Sequence, residues 1–77
     1  MGNDTGKKII VFGAGGRVGR AAVAEAVARG HRVTAVVRDP ARHPGLEAPG
    51  VTVVRGDVTD PESVAALAAG HDAALHA

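Results

Sequence analysis

Three glycines, Gly13, Gly16 and Gly19, stand three residues apart directly after the apolar run Ile9-Ile10-Val11-Phe12 and directly before an alanine-rich stretch. Glycine lets the backbone bend tightly and lets a bulky anion approach peptide N–H groups that a side chain would shield. The first turn of a following helix adds N–H groups with no internal acceptor and the positive end of the helix dipole. Strand, glycine turn and helix in that order suit a pyrophosphate, and a second strand arriving on schedule points to a dinucleotide. Gly13 and Gly15 also begin a G-x-G-x-x-G, but its last place is Val18, so the G-x-x-G-x-x-G spacing is the cleaner match. The phosphate loop of NTPases needs Gly-Lys-Ser/Thr ahead of its helix, and this chain has no such triplet.

The end of the second strand chooses between two cofactors. An acid there holds the ribose hydroxyls of NAD, whereas an arginine suits the 2′-phosphate of NADP. The strand ends Val36-Val37-Arg38-Asp39, and Arg38 is its first polar residue. NADP(H) is therefore favoured, with NAD(H) left open because a shift of one residue would make Asp39 the ribose acid. Asp39 also serves as a helix cap ahead of Pro40. Arg17 reads either as a second cation beside the phosphates or as a solvated arginine at a helix start. Asp57 and Val58 follow the third strand at the carboxyl edge, where Asp57 can accept from an adenine amino group and Val58 can pack on the ring, or Asp57 is simply a turn aspartate after Gly56.

Groups for catalysis are scarce. The chain has no cysteine and no tyrosine, and Ser63 is its only serine. That excludes thiolate chemistry, disulfides and cysteine metal sites. His31, His43, His71 and His76 show no metal-ligand spacing, and three of them fall in expected turns or loops; only His76 ends a strand on the ligand side. No catalytic acid–base pair and no metal site are expected. With 9 basic and 8 acidic residues the formal charge is +1, and Phe12 is the only aromatic, so neither a basic patch nor base-stacking rings point to nucleic acid. No apolar run approaches the ~20 residues of a membrane span, and residues 1–6 lack the apolar core of a signal peptide. They read as a disordered lead-in to a half-domain over residues 7–77, and a cytoplasmic location is expected.

The elements that must position these residues follow from periodicity and punctuation. Lys7 to Phe12 reads as strand one, Gly16 to about Arg29 as helix one, and Arg32 to Val37 as strand two, with Gly30-His31 as the helix stop. The proline-rich stretch from Asp39 to Gly50 leaves room for about one helical turn. Val51 to Val54 is strand three, Pro61 to about Ala69 helix two, and Asp72 to Leu75 strand four. Helix two starts either on a capping box of Thr59 with Glu62 or on a simple Asp60 cap. In helix one Val18, Ala22, Val23, Ala26 and Val27 share one half, with Gly19 near its middle, where a missing side chain lets the helix approach the sheet.

Strands one and two do not alternate in polarity, so both faces should be covered. Right-handed crossovers then give an α/β fold with a partial doubly wound parallel sheet in the order 3-2-1-4 and helices on both faces. Only one short helix covers the second face and strand four is an open edge. The chain is expected to be one part of a larger fold, incomplete at its C-terminus, with self-association through that edge.

Gly13-Ala14-Gly15-Gly16-Arg17-Val18-Gly19, Val37-Arg38-Asp39-Pro40 and Gly56-Asp57-Val58-Thr59-Asp60 together resemble the Rossmann-like, NAD(P)-binding half of extended and atypical short-chain dehydrogenase/reductases. The NmrA-like and NAD(P)H-binding proteins and the NAD-dependent epimerase/dehydratases look most similar. The resemblance implies that Gly13, Gly16 and Gly19 take the glycine-motif places, with Ala14 inside the turn. It implies Arg17 and Val18 in the pyrophosphate loop, Arg38 at the 2′-phosphate, and Asp57 and Val58 beside adenine. The family's Tyr-x-x-x-Lys motif would lie beyond Ala77. The expected function is an NAD(P)-binding module of an oxidoreductase or epimerase-like protein, with a small-molecule substrate only in a full-length form. A non-enzymatic NADP(H)-sensing regulator and an inactive fragment are the alternatives.

Overall fold

The computed structural model describes residues 6–77, so the expectation for the lead-in lies largely outside the described residues. Strand β1 (Lys8–Phe12) leads through the glycine turn into helix α1 (Arg17–Ala28) and strand β2 (Arg32–Val37). Two short 3₁₀ turns, Pro40–Arg42 and Pro44–Leu46, precede strand β3 (Val51–Arg55), helix α2 (Pro61–Ala68) and strand β4 (Ala73–His76). The sheet is parallel throughout with the order β3-β2-β1-β4, as expected. Val11 sits between Ala35 on β2 and Leu75 on β4, and Val36 pairs with Val54 on β3.

Both sheet faces carry a core because successive side chains in β1 and β2 point to opposite sides. On one side Val11, Val33, Ala35 and Val37 pack with Val23 and Ala26 of α1. On the other, Ile10, Phe12 and Val36 meet Val64, Leu67 and Ala68 of α2. Phe12 is almost completely buried, and its ring stacks on His76 with centroids 4.8 Å apart. Truncating it would cost about 3–5 kcal/mol, a large share of the stability of a domain this small.

The boundaries follow local chemistry. Gly30 ends α1 with φ +86°, its N–H bonding to the Val27 carbonyl while the His31 N–H reaches that of Ala26, the left-handed stop that glycine adopts without strain. Asp60 caps α2 by accepting from the Glu62 N–H at 3.1 Å, which decides between the two cap readings. Asp39 precedes the first 3₁₀ turn in extended conformation without a side-chain cap bond. The second 3₁₀ turn was not anticipated; it forms because Leu46 drops into the core beside α1. Strand β4 lies one residue later than expected because the Asp72 carboxylate accepts from the Lys8 N–H at 2.8 Å, placing Asp72 at the entrance to the strand. Thr34 on β2 and His71 after α2 meet at 2.9 Å and tie that turn to the sheet. All four residues of β4 are exposed. No helix among the described residues is long and apolar enough to cross a membrane.

Candidate dinucleotide site

The glycine turn is built on β2 as well as on β1. Gly13 leaves β1 with φ +75°, and the N–H groups of Gly13 and Ala14 both bond to the Val36 carbonyl, at 3.2 and 3.1 Å. The Gly16 N–H folds back to the Gly13 carbonyl at 3.3 Å. These three donors are therefore occupied within the turn. The N–H groups of Gly15, Arg17, Val18 and Gly19 meet no backbone or side-chain acceptor among the described residues. A cluster of open donors at a helix start is what an anion needs.

Gly16 is the N-cap of α1, extended at φ −80° and ψ 174°, and it has no side chain with which to bond the first-turn N–H groups. A Ser or Asp there would satisfy one of them internally. The first turn of α1 contains no acidic residue, so no carboxylate of its own opposes a phosphate at the dipole end.

Gly19 is buried, and its close approach is to the turn rather than to the sheet beyond it. A β-carbon there would stand 2.7 Å from the Ala14 α-carbon and would collide with the Gly13 carbonyl oxygen. Ala14 is itself fully buried beneath the turn. Arg17 is exposed, and Val18 is 69% exposed. Val18, expected on the same half of α1 as Val23 and Ala26, is not buried with them. Val18 is instead at the rim beside the open N–H groups.

A cleft of about 410 Å³ opens at this carboxyl edge, lined by Gly13, Gly15, Gly16, Arg38, Asp39 and Arg42, with Val37 and His43. It brings Gly13, Gly16 and Arg38 together as expected. Arg42 and His43 were not anticipated there, because the path of the loop after β2 depends on Leu46 reaching the core. The only advance sign was their position close behind Arg38. The His43 ring, in the loop after β2, is half-buried against Gly15.

Asp57 and Val58 do not line this cleft but stand exposed past the end of β3. Asp57 Oδ1 accepts from the Thr59 N–H at 2.9 Å and from the Thr59 hydroxyl at 2.6 Å. These bonds, reinforced by the Arg38 guanidinium, hold its carboxyl below the usual aspartate range. Among the described residues Oδ2 has no such partner. His76, the histidine on the ligand side, stacks on Phe12.

The described residues fit a dinucleotide on three counts: open first-turn donors, glycines at positions 13, 15 and 16 of the turn, and Arg38 and Arg42 in the lining of the same cleft. The NAD(P)H-binding family matches residues 13–77. A 2-alkyl-3-oxoalkanoate reductase of Stenotrophomonas maltophilia (strain K279a) is 44% identical over 69 residues, which cover 90% of this chain and 20% of the reductase. The crystal structure of a candidate epimerase from Bacteroides thetaiotaomicron superposes with a TM-score of 0.82 at 41% identity, covering 92% of this chain and 32% of that one. A Burkholderia pseudomallei structure described as an exported protein superposes with a TM-score of 0.73 at 42% identity, covering 92% of this chain and 31% of that one. The chain thus spans about a fifth of the length of the curated reductase and about a third of each solved relative.

Proposed function

This chain belongs to the NAD(P)H-binding family, and from that premise we propose that it is the cofactor-holding part of a reductase or epimerase-like protein, with NADP(H) preferred over NAD(H). The observation that carries the preference is the cleft's charge: Arg38 and Arg42 line it against the single carboxylate of Asp39. A 2′-phosphate gains from both guanidinium groups, whereas a bare ribose gains only from the acid.

In this reading the pyrophosphate sits on the N–H groups of Gly15, Arg17, Val18 and Gly19, which have no acceptor among the described residues. Gly13 and Ala14 act indirectly, holding the turn against Val36, and Gly16 keeps the cradle free of a side chain. Asp57 Oδ2 accepts from the adenine amino group, and Val58, 46% exposed, packs on the ring. When bound, the cofactor supplies a hydride donor or acceptor.

Titration of the 77-residue chain with NADPH and with NADH, followed by nicotinamide fluorescence, tests the reading. Saturable binding with NADPH the tighter is expected. A folded chain that leaves NADPH free in solution would overturn it.

A further inference from the structure

A second cleft opens at the amino edge of the sheet, the end opposite the glycine turn. Its volume is about 480 Å³, and Lys8, Arg32, Thr34, Thr52, Gly70 and His71 are among its lining residues. It shares no lining residue with the carboxyl-edge cleft. A volume of this order is ordinary for a small-molecule site.

The strands bring four of these side chains to one face. Lys8 stands two residues before Ile10 on β1, and Arg32 and Thr34 precede Val36 on β2 by four and two; Ile10 and Val36 both pack toward α2. Strand side chains alternate, so Lys8, Arg32 and Thr34 share the α2 side. Lys8 pairs in register with Arg32, and Thr34 with Thr52. Neighbouring strands lie roughly 4.8 Å apart, so two cations stand side by side with two hydroxyls in the next rank.

Neither cation has an ion-pair partner among the described residues. Asp72 brings a carboxylate to this edge, but its Oδ2 accepts from the Lys8 backbone N–H rather than from either charged side chain. Thr34 Oγ1 and His71 Nε2 meet at 2.9 Å, while His71 Nδ1 is buried with no hydrogen-bond partner. Buried polar atoms are nearly always bonded, so the polar groups of this cleft are not satisfied by one another. Like charges in register on one face repel. An oxyanion between them turns that repulsion into attraction and takes charge-assisted bonds from both.

We propose that the amino-edge cleft is a site for a small phosphate monoester, with Lys8 and Arg32 on the phosphate, the Thr52 hydroxyl as a further donor, and the remaining volume open to the organic part. The site is independent of the cofactor reading, because it uses none of the same residues.

The test is titration of the 77-residue chain with inorganic phosphate and with glycerol 3-phosphate, followed by amide NMR shifts. Ionic strength is held constant with sodium chloride at about pH 7.5, where the second phosphate proton, lost near pH 6, is gone. Saturable shifts at Thr34, Thr52, Gly70 and His71 are expected, with the ester at least as tight as the bare ion. Shifts at Gly15 to Gly19 report binding at the glycine turn separately. Arg32→Gln and Lys8→Gln are each expected to weaken amino-edge binding by about tenfold or more, the worth of one charge-assisted contact. Both residues are exposed, and if one variant fails to fold the other decides. Lys7→Gln removes the same charge from a residue that does not line the cleft and is expected to change little. Shifts that never saturate, shifts confined to the glycine turn, or an equal loss in Lys7→Gln would overturn the site. Binding of inorganic phosphate with exclusion of the ester would overturn the monoester assignment.

Discussion

Gly19, in the first turn of α1, packs so closely on Ala14 that a β-carbon added to it would come within 2.7 Å of the Ala14 α-carbon. The obstructing atoms are backbone, and they belong to the turn whose N–H groups are already bonded to Val36. Neither side can yield without breaking that turn. Gly19→Ala is therefore expected to lose about 1–3 kcal/mol, the usual cost of overpacking, and to weaken dinucleotide binding at the same time. Thermal unfolding with and without NADPH checks both; a variant with unchanged stability would show that the turn is softer than its hydrogen bonds imply.

Arg38 is exposed at the end of β2, so in the proposed reading its substitution bears on affinity rather than on folding. Arg38→Ala is expected to leave the unfolding transition in place and to weaken NADPH by roughly 10- to 150-fold, the range of a lost charge-assisted contact at about 1.5–3 kcal/mol. NADH, which has no 2′-phosphate, should change little. An equal loss for both cofactors would place Arg38 at the pyrophosphate instead.

The Thr59 contacts make Asp57 pH-sensitive in a defined direction. Its carboxyl is held below the ordinary value in the folded chain, chiefly by the Thr59 hydroxyl, then by the Thr59 N–H. A depressed folded-state value means that its contribution to stability is complete above the unfolded value of about 3.9 and disappears as pH falls through the lower folded value. Thr59→Val removes the leading cause, so the Asp57 carboxyl should titrate at higher pH. Carboxyl-carbon NMR across the acid range reads this directly, and an unmoved titration curve would contradict the contact.

Asp60 is the N-cap of α2, an eight-residue helix. Short helices have little stability of their own, so the cap matters more than in a long one. Asp60→Ala is expected to cost about 1 kcal/mol. Amide hydrogen exchange should quicken first in α2, at Val64, whose N–H bonds to the Asp60 carbonyl, while β1 and β2 stay protected. Uniform quickening in all elements would mean that α2 is not separable from the sheet.

Most of the architecture can be read along the chain because it depends on short-range pattern. Apolar runs without alternation, glycines at helix ends and an Asp-Pro start each act within a few residues, and together they led to four parallel strands in the order observed. The family and the glycine turn are legible for the same reason, since their signals lie in contiguous stretches. Tertiary structure alone decided which atoms of that turn remain open to a ligand. The Gly13 and Ala14 N–H groups are consumed by Val36, which is far away in sequence and adjacent only once β1 and β2 pair. It likewise set the loop after β2, where Leu46 sinking beside α1 draws Arg42 and His43 toward Gly15. Periodicity specifies which face a residue takes within its own element, but which neighbour it meets is determined when separate elements bury their apolar surfaces together.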